Sequence, residues 1–435
     1  MRHDGDASGA RLPSIDILRG IAIVWVVLFH LWGDLEFFPG APHLYYEQFT
    51  DKVGDGDAWA SFTAFTDLVF RLGFQGVPLF MMISGISLTV AAYRSQPRSW
   101  PTFLWRRFKK LMLPYWVGVA LTYGVMAAIA WRQSAIGGMS FADAFTGGVT
   151  ISRASVINVD WGVFFASVAL LPRLIEKEWF FAPQLALWFV GLIAQYYILF
   201  PLLFSAMRRL GVVVFVVATF GLTVGANWWI VDTYGAPEFR FEMVTGWAPF
   251  RLFEFTAGMA IGWLIGAPSA ERARTLAFVR HPAVVLCCIA TGLAAHTAGD
   301  LMIGRWSVRY WQSTALPLST LGLAMLALPL LVRRPGWFER TAPARFLTWI
   351  GVISYTVLIV SDAMRLVASQ LRVEDVSEPL WWTFLVAVYV PVTLIIAWPM
   401  AWVLGLLPHR RVPARAPAPE PRREPEEALA PAGAR

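Results

Sequence analysis

The chain has 435 residues, 57% of them hydrophobic, and a formal net charge of +7. A soluble globular protein rarely passes about half apolar, so a single water-soluble core is excluded. The two cysteines, Cys287 and Cys288, are adjacent in an apolar run, which excludes a disulfide framework and a cysteine zinc site. The surplus of arginine is first a topology signal of a membrane protein and not the footprint of nucleic-acid binding.

Apolar runs near the length that crosses a bilayer as helix follow one another along the chain. The first starts near Ile15 and ends at Trp32, with Ser14 after Pro13 as its expected N-cap. Next come Val77 to Ala92, Leu111 to Trp131, Leu185 to Phe204, Val212 to Val231 and Trp247 to Ile265. The remaining runs are Ala283 to Ala298, Thr314 to Val332, Phe346 to Val367 and Trp381 to Leu407. The expected fold is therefore an all-α polytopic membrane helix bundle of about ten spans. Many tryptophans, among them Trp32, Trp59, Trp179, Trp247, Trp306 and Trp381, fall near span ends, where indole rings favour the interface. Trp25 and Trp188 lie deeper. The first run is longer than the apolar region of a signal peptide and no small-residue cleavage site ends it, so it is read as a span.

Cations crowd alternate connections. Arg94, Arg98, Arg106, Arg107, Lys109 and Lys110 fill the second, Arg208 and Arg209 the fourth, and Arg272, Arg274 and Arg280 the sixth. Arg333, Arg334, Arg340 and Arg345 fill the eighth, and Arg410 and Arg411 follow the last span. Such alternation places that face, and with it both termini, in the cytoplasm, with the bundle in the plasma (inner) membrane. Asp34 to Arg71 reads as a long acidic outer loop. Arg132 to Pro183 reads as outer as well, and its apolar segment Trp161 to Leu171 is too short to span, so it is expected to be re-entrant or interfacial. The organisation is thus a cytoplasmic segment 1–13, a membrane domain 14–407, and a tail 408–435 rich in Pro, Ala, Arg and Glu, expected to be disordered. No internal repeat of the inverted-transporter kind is evident by inspection.

The first span carries Arg19 and His30. Eleven residues at about 100° each bring His30 only ~20° past three full turns, so the two share a face roughly 16 Å apart along the axis. Asp16 is three before Arg19 and Asp34 four after His30, each at pairing distance on a helix. Ionisable residues within a span are costly and face a bundle interior or a wet cavity. Arg19 is either a snorkelling topology residue or a charge in a channel, and His30 is either an interhelical hydrogen-bond partner or a general base.

Six segments in order carry a resemblance to the integral-membrane acyltransferase family 3, whose members acylate sugars and related acceptors. These are Arg19-Gly20 with His30; Gly76-Val-Pro-Leu-Phe80 through Ser84-Gly85; Arg106-Arg107 through Lys110 with Pro114-Tyr115; Trp188 through Gln195-Tyr196-Tyr197 to Pro201; Phe255 to Met259; and Ile350-Gly351 through Ser354-Tyr355. The start of the first span is also similar to heparan glucosaminide acetyltransferase-like membrane proteins. The chain departs from the pattern of many members. Ile193 and Ala194 stand where paired glutamates precede Gln-Phe-Tyr, Leu358 and Ser361 replace a Tyr and a His, and Lys110 stands for an arginine.

The resemblance implies His30 as catalytic base and Arg19 as its essential partner, with Arg106, Arg107 and Lys110 holding the phosphates of coenzyme A. Those cations are equally explained as a positive-inside segment. Weaker substrate-binding candidates are Asp34, Ser84, Gln195, Tyr197, Arg251 and Glu254. Ser84-Gly85 reads equally as close helix packing, Arg251 and Glu254 as a simple i,i+3 pair, and Gln195 and Tyr197 as interhelical hydrogen-bonders. Asp362 and Arg365 in the ninth run have the same ambiguity. The expected activity is an acyl-CoA-dependent O-acyltransferase, acetyl-CoA being the co-substrate, acting on a hydroxyl of a glycan, glycolipid or related acceptor near the outer face. No metal and no tightly bound cofactor are expected, and the partners are acyl-CoA, the acceptor and the lipid bilayer. The competing class is a transporter or flippase of a glycan or lipid intermediate that uses the same polar channel without covalent chemistry.

Overall fold

The computed structural model describes residues 13–34, 54, 56, 58–97, 99–146, 149–152, 155–157, 161–169, 187–234, 246–305, 309–333, 336–371 and 378–407. The chain-terminal tail 408–435, and most of the acidic loop after Asp34, lie outside the described residues.

The first helix, α1 (Pro13–Asp34), starts two residues earlier than expected. Pro13 occupies its first position, where the missing N–H and fixed φ are harmless, so Ser14 is a buried first-turn residue and not the cap. After α2 (Ala58–Arg71) a 3-10 turn, Leu72–Gln75, leads into α3 (Gly76–Ser95). The helix α4 (Trp100–Gly137) is 38 residues long. It takes up the basic segment that the sequence placed in a loop, because nothing between Trp100 and Leu111 breaks a helix.

A short helix, α5 (Phe141–Thr146), precedes two short antiparallel strands, β1 (Val149–Ser152) and β2 (Ser155–Ile157), and the eight-residue α6 (Trp161–Val168). Apart from that hairpin the described chain is helical, so the all-α expectation holds. The C-terminal carbonyls of α6 are met from α4: Tyr115 Oη donates to Ser167 O at 2.7 Å and Trp116 Nε1 to Val168 O at 3.1 Å. Backbone groups within a bilayer need partners of this kind. The end of α6 thus packs against α4, with Ser167 fully buried.

Two long helices follow, α7 (Trp188–Leu210) and α8 (Val212–Tyr234). A 3-10 turn, Ala248–Arg251, opens α9 (Leu252–Gly266). Then come α10 (Ser269–Arg280), α11 (Pro282–Arg305), α12 (Arg309–Arg333), the single turn α13 (Gly336–Glu339), α14 (Ala342–Val352) and α15 (Ser354–Leu371). The last run is α16 (Glu378–Phe384), a π-helical turn Leu385–Tyr389, and α17 (Val390–Val403).

The described parts of the ten apolar runs fall mainly on helices. By length and composition, six helices among the described residues can cross a membrane, or up to eight if two bent pairs each count as one span. One pair, Arg272–Arg280 with Pro282–His296, bends by 74° at His281, since the residue before a proline is driven out of the helical region. The other, α14 with α15, corrects the expectation of one continuous ninth helix. Ile353 N–H bonds Ile350 O, a tight turn in place of the α-helical bond, and the axis turns by 75°.

Glycines set the closest helix contacts. A Cβ on Gly351 would strike the carbonyl of Asp16, and one on Gly20 would strike that of Leu347, so α14 and α1 touch backbone to backbone. Gly85 on α3 meets the Phe255 carbonyl of α9, and Gly258 meets that of Met82. Small residues permit such approach where helices pack by van der Waals contact without a hydrophobic drive. The largest core cluster then fills the space between α1, α3, α4, α7, α9, α15 and α17, with Tyr115, Tyr196, Phe200 and Phe255 almost fully buried. Ile198, Leu202, Val213 and Val403 are exposed, as lipid-facing residues would be.

Candidate active site

Three helices present matched levels to one another. On α1, Val26 and His30 line a small cavity; α3 adds Val77 and Phe80, α7 adds Trp188 and Phe189, and α15 adds Leu358. The cavity is small, and among the described residues His30 is the one ionisable group on its wall. Phe29 leans against the His30 ring at 5.9 Å between centroids.

The second level lies further down the same three helices, toward Arg19. Arg19 Nη1 pairs with Asp16 Oδ1 at 3.3 Å, as the i,i+3 spacing predicts, and Nη2 donates to Ser87 Oγ on α3 at 3.1 Å. Tyr197 on α7 lies within electrostatic reach of both Arg19 and Arg107. Tyr355 on α15 lies within reach of Tyr197 and donates its hydroxyl to Leu111 O on α4 at 2.8 Å. Helical rise separates Arg19 from His30, Ser87 from Val77, and Tyr197 from Trp188 by similar amounts, about 14–16 Å. An apolar chamber with an imidazole is thus joined along one seam to a polar, cationic end.

The predicted cations divide. Arg107 is half-buried, with its guanidinium 5.6 Å from the Phe103 ring centroid, and it is the one that faces Tyr197. Arg106 and Lys110 are exposed. Ser84 is half-buried on the α3 face that also carries Phe80 and Ser87, while its neighbour Gly85 is taken up in the contact with α9. Asp34 ends α1, but its side chain lies outside the described residues.

Gln195 is spent on the backbone. Its Nε2 donates to Gly246 O at 2.9 Å and its Oε1 accepts from Ala248 N at 3.0 Å. Those residues begin the turn that delivers Arg251. Arg251 Nε donates to Glu254 Oε1 at 2.8 Å, both side chains buried, and the guanidinium lies 5.2 Å from the Trp188 ring centroid. Trp188 therefore joins this pair to the His30 cavity. On α15, Arg365 Nη1 and Asp362 Oδ1 form a second buried pair at 2.6 Å.

Ser87, Phe80, Trp188 and Leu358 were not singled out as site residues. Ser87 and Phe80 share the face of Ser84 by helical spacing, which was a usable signal. Trp188 was visible as a tryptophan away from a span end. Leu358 was noted only as a departure from the family pattern, and it proves to be a wall of the cavity.

A family model described as an acyltransferase domain, the third such family, matches residues 12–402. The chain belongs to the acyltransferase family 3. It is thus a membrane acyltransferase in general class, and the six resembling segments all fall within the matched region. Neither curated proteins nor solved structures yield a match.

Proposed function

We propose that this acyltransferase moves an acyl group, acetyl in the simplest case, from cytoplasmic acyl-CoA to a hydroxyl of a glycan, glycolipid or related acceptor that approaches from the outer side of the plasma membrane. The observation that carries the reading is the seam on α1, α3 and α7, with His30 in an apolar chamber at one end and Arg19, Tyr197 and Arg107 at the other. Arginine suits the phosphates of coenzyme A. The basic residues at the end of α3, the start of α4 and the end of α7 support a cytoplasmic location for that end. This topology keeps both termini in the cytoplasm.

The chemistry follows from the placement. His30 takes the proton of the acceptor hydroxyl, the oxygen bonds to the thioester carbonyl carbon, and the carbon–sulfur bond breaks. The leaving coenzyme A sulfur then receives the proton from the imidazolium. The apolar walls of Val26, Phe80 and Leu358 suit the methyl end of a short acyl group in chemistry, and the polar end suits a charged carrier. An acyl group resting first on the enzyme would use the same two ends in relay.

The test is transfer from labelled acetyl-CoA to a hydroxyl-rich acceptor by purified protein, wild type against His30→Ala. Loss of transfer in the variant is expected. Absence of transfer and of CoA release in wild type, or a variant equal to wild type, would sink the enzyme reading.

A further inference from the structure

Trp188 opens α7, the helix whose other end carries Arg208 and Arg209, and it is a wall of the cavity that holds His30. The Arg251 guanidinium lies over its indole, 5.2 Å from the ring centroid. Arg251 is 5% exposed and its partner Glu254 1%, and neither lines the cavity. The pair meets the chamber through Trp188.

Several groups fix where that cation lies. Glu254 Oε1 accepts from Arg251 Nε at 2.8 Å, a charge-assisted bond that holds the guanidinium plane. Gln195 clamps Gly246 and Ala248 ahead of Arg251. From α8, Asn227 Nδ2 donates to Phe250 O at 2.8 Å, and Thr223 Oγ1 accepts from Phe253 N at 3.0 Å. Trp188 and Gln195 are seven residues apart on α7, so they share a face within ~20°, about 10 Å apart along the axis. One face of α7 thus grips the segment 246–251 twice, by hydrogen bonds at Gln195 and by the cation at Trp188.

Stability alone is a poor account of this arrangement, since apolar residues of similar volume often replace a buried ion pair without loss. Apolar residues cannot hold an aromatic face in one orientation, whereas a desolvated guanidinium attracts the face of an indole more strongly than one in water.

We propose that Arg251 and Glu254 are positioning residues that lock the Trp188 indole as a fixed wall of the chamber and so shield His30 from water. The inference rests on the acyl-transfer reading above for its catalytic consequence, but not for the lock itself. A wall that moves admits water to the thioester. The water oxygen then bonds to the carbonyl carbon, the carbon–sulfur bond breaks and a water proton passes to sulfur, leaving acetic acid and free coenzyme A. The lock therefore keeps the acyl group for the acceptor.

The experiment uses the full chain in lipid nanodiscs, labelled with 5-fluorotryptophan. The Trp188 fluorine signal is assigned by its loss in Trp188→Phe. Two readouts need neither donor nor acceptor: that signal, and the rate at which diethylpyrocarbonate modifies His30, mapped by mass spectrometry. A third is the ratio of coenzyme A released from acetyl-CoA without acceptor to acyl group transferred with it. Fold is followed by the thermal unfolding midpoint. Arg251→Met with Glu254→Leu replaces the pair by apolar volume. In that variant the Trp188 signal should move and broaden, and the His30 modification rate should rise by about fivefold. The hydrolysis-to-transfer ratio should rise with it. Glu254→Gln keeps an oxygen for Arg251 Nε and should move all three readouts the same way by less; it carries the test where the double variant fails to fold. Trp188→Phe, which trims the wall and leaves the pair in place, should also speed modification of His30.

A Trp188 signal and a His30 rate unchanged in the folded pair variant, or a His30 rate unchanged in Trp188→Phe, overturns the lock. A loss of melting temperature and of total activity with the ratio and the His30 rate unmoved reduces the pair to structural support and overturns it as well. If the signal and the His30 rate change as expected while wild type transfers no acyl group, the lock stands and the acyl-transfer reading fails.

Discussion

Arg19 on α1 donates from Nη2 to Ser87 Oγ on the antiparallel helix α3, across a gap of 3.1 Å and 68 positions of sequence. The bond fixes a cation that would otherwise be free to snorkel toward the lipid surface. A hydrogen bond to a charged group contributes about 1.5–3 kcal/mol. With Asp16 still holding the other amino group, Ser87→Ala should lose the lower part of that range. Donor saturation curves should therefore show KM for acyl-CoA raised about tenfold to thirtyfold with kcat little changed. An equal fall in kcat with KM unmoved would mean that Arg19 serves the chemical step and not the donor.

The basic segment of α4 should split by orientation. Arg107 is half-buried and within electrostatic reach of the Tyr197 hydroxyl, as Arg19 is, whereas Arg106 and Lys110 are exposed. Exposed charges are screened and contribute little individually, ~0–1 kcal/mol. Arg107→Ala is expected to raise KM for acyl-CoA by about tenfold or more, and Arg106→Ala and Lys110→Ala by about threefold or less, the latter two fading as salt is raised. Equal effects from all three would indicate a diffuse electrostatic surface in place of a built site.

Leu358 closes the side of the chamber next to His30. A chamber walled by Val26, Val77, Phe80 and Leu358 selects an acyl chain by length, at about 0.8 kcal/mol per methylene that finds apolar contact. Leu358→Ala should shift the ratio of kcat/KM for butyryl-CoA over acetyl-CoA upward by about tenfold. Competition between the two donors, with products separated by mass, measures it. A ratio that stays constant while both rates fall would place the acyl group elsewhere.

The glycine contacts yield a stability prediction with its own control. Gly258 on α9 lies against the Met82 carbonyl, a backbone group that cannot swing aside, while a Cβ at Gly221 on α8 meets nothing. Gly258→Ala should lower the thermal midpoint by several degrees or prevent folding. Gly221→Ala should raise stability by about 0.5–1 kcal/mol through helix propensity. If the two variants melt alike, α3 and α9 are not in the contact described.

Much of this arrangement was legible in the sequence, since periodicity alone placed Arg19 and His30 on one face. The motif segments gain meaning only in three dimensions, where they meet in pairs. Gly20 of the first touches the α14 helix that carries Gly351 and leads to Tyr355; Gly85 of the second touches Phe255 of the fifth; Leu111 of the third accepts from Tyr355 of the last. Such pairings are set by packing between helices far apart in the chain, and hydropathy has no access to them. The bend at Ile353 escaped for the same reason. Phe346 to Val367 is apolar enough for one helix, and the turn is made by the backbone beside the contact of Gly351 with Asp16. The long α4 was misjudged because charge alone suggested a loop, although Arg and Lys are good helix formers.

Gln195 separates a binding role from a positioning role. Its amide is engaged on both atoms by Gly246 and Ala248, so it has little left to offer a ligand directly. What it controls is the turn that presents Arg251 over Trp188. Gln195→Leu keeps the volume, removes both bonds and leaves the carbonyl of Gly246 and the N–H of Ala248 without that partner. Acceptor KM should rise by about tenfold while donor KM changes less, because the turn that Gln195 holds presents Arg251 at Trp188, about 14 Å of helical rise from Tyr197. The tryptophan emission of the protein should shift as Arg251 moves off the Trp188 ring. Gln195→Asn restores the chemistry of the group but not its reach, and should recover neither value. A direct ligand contact by Gln195 would instead raise acceptor KM with the emission unchanged, and that pairing of results would reassign the residue.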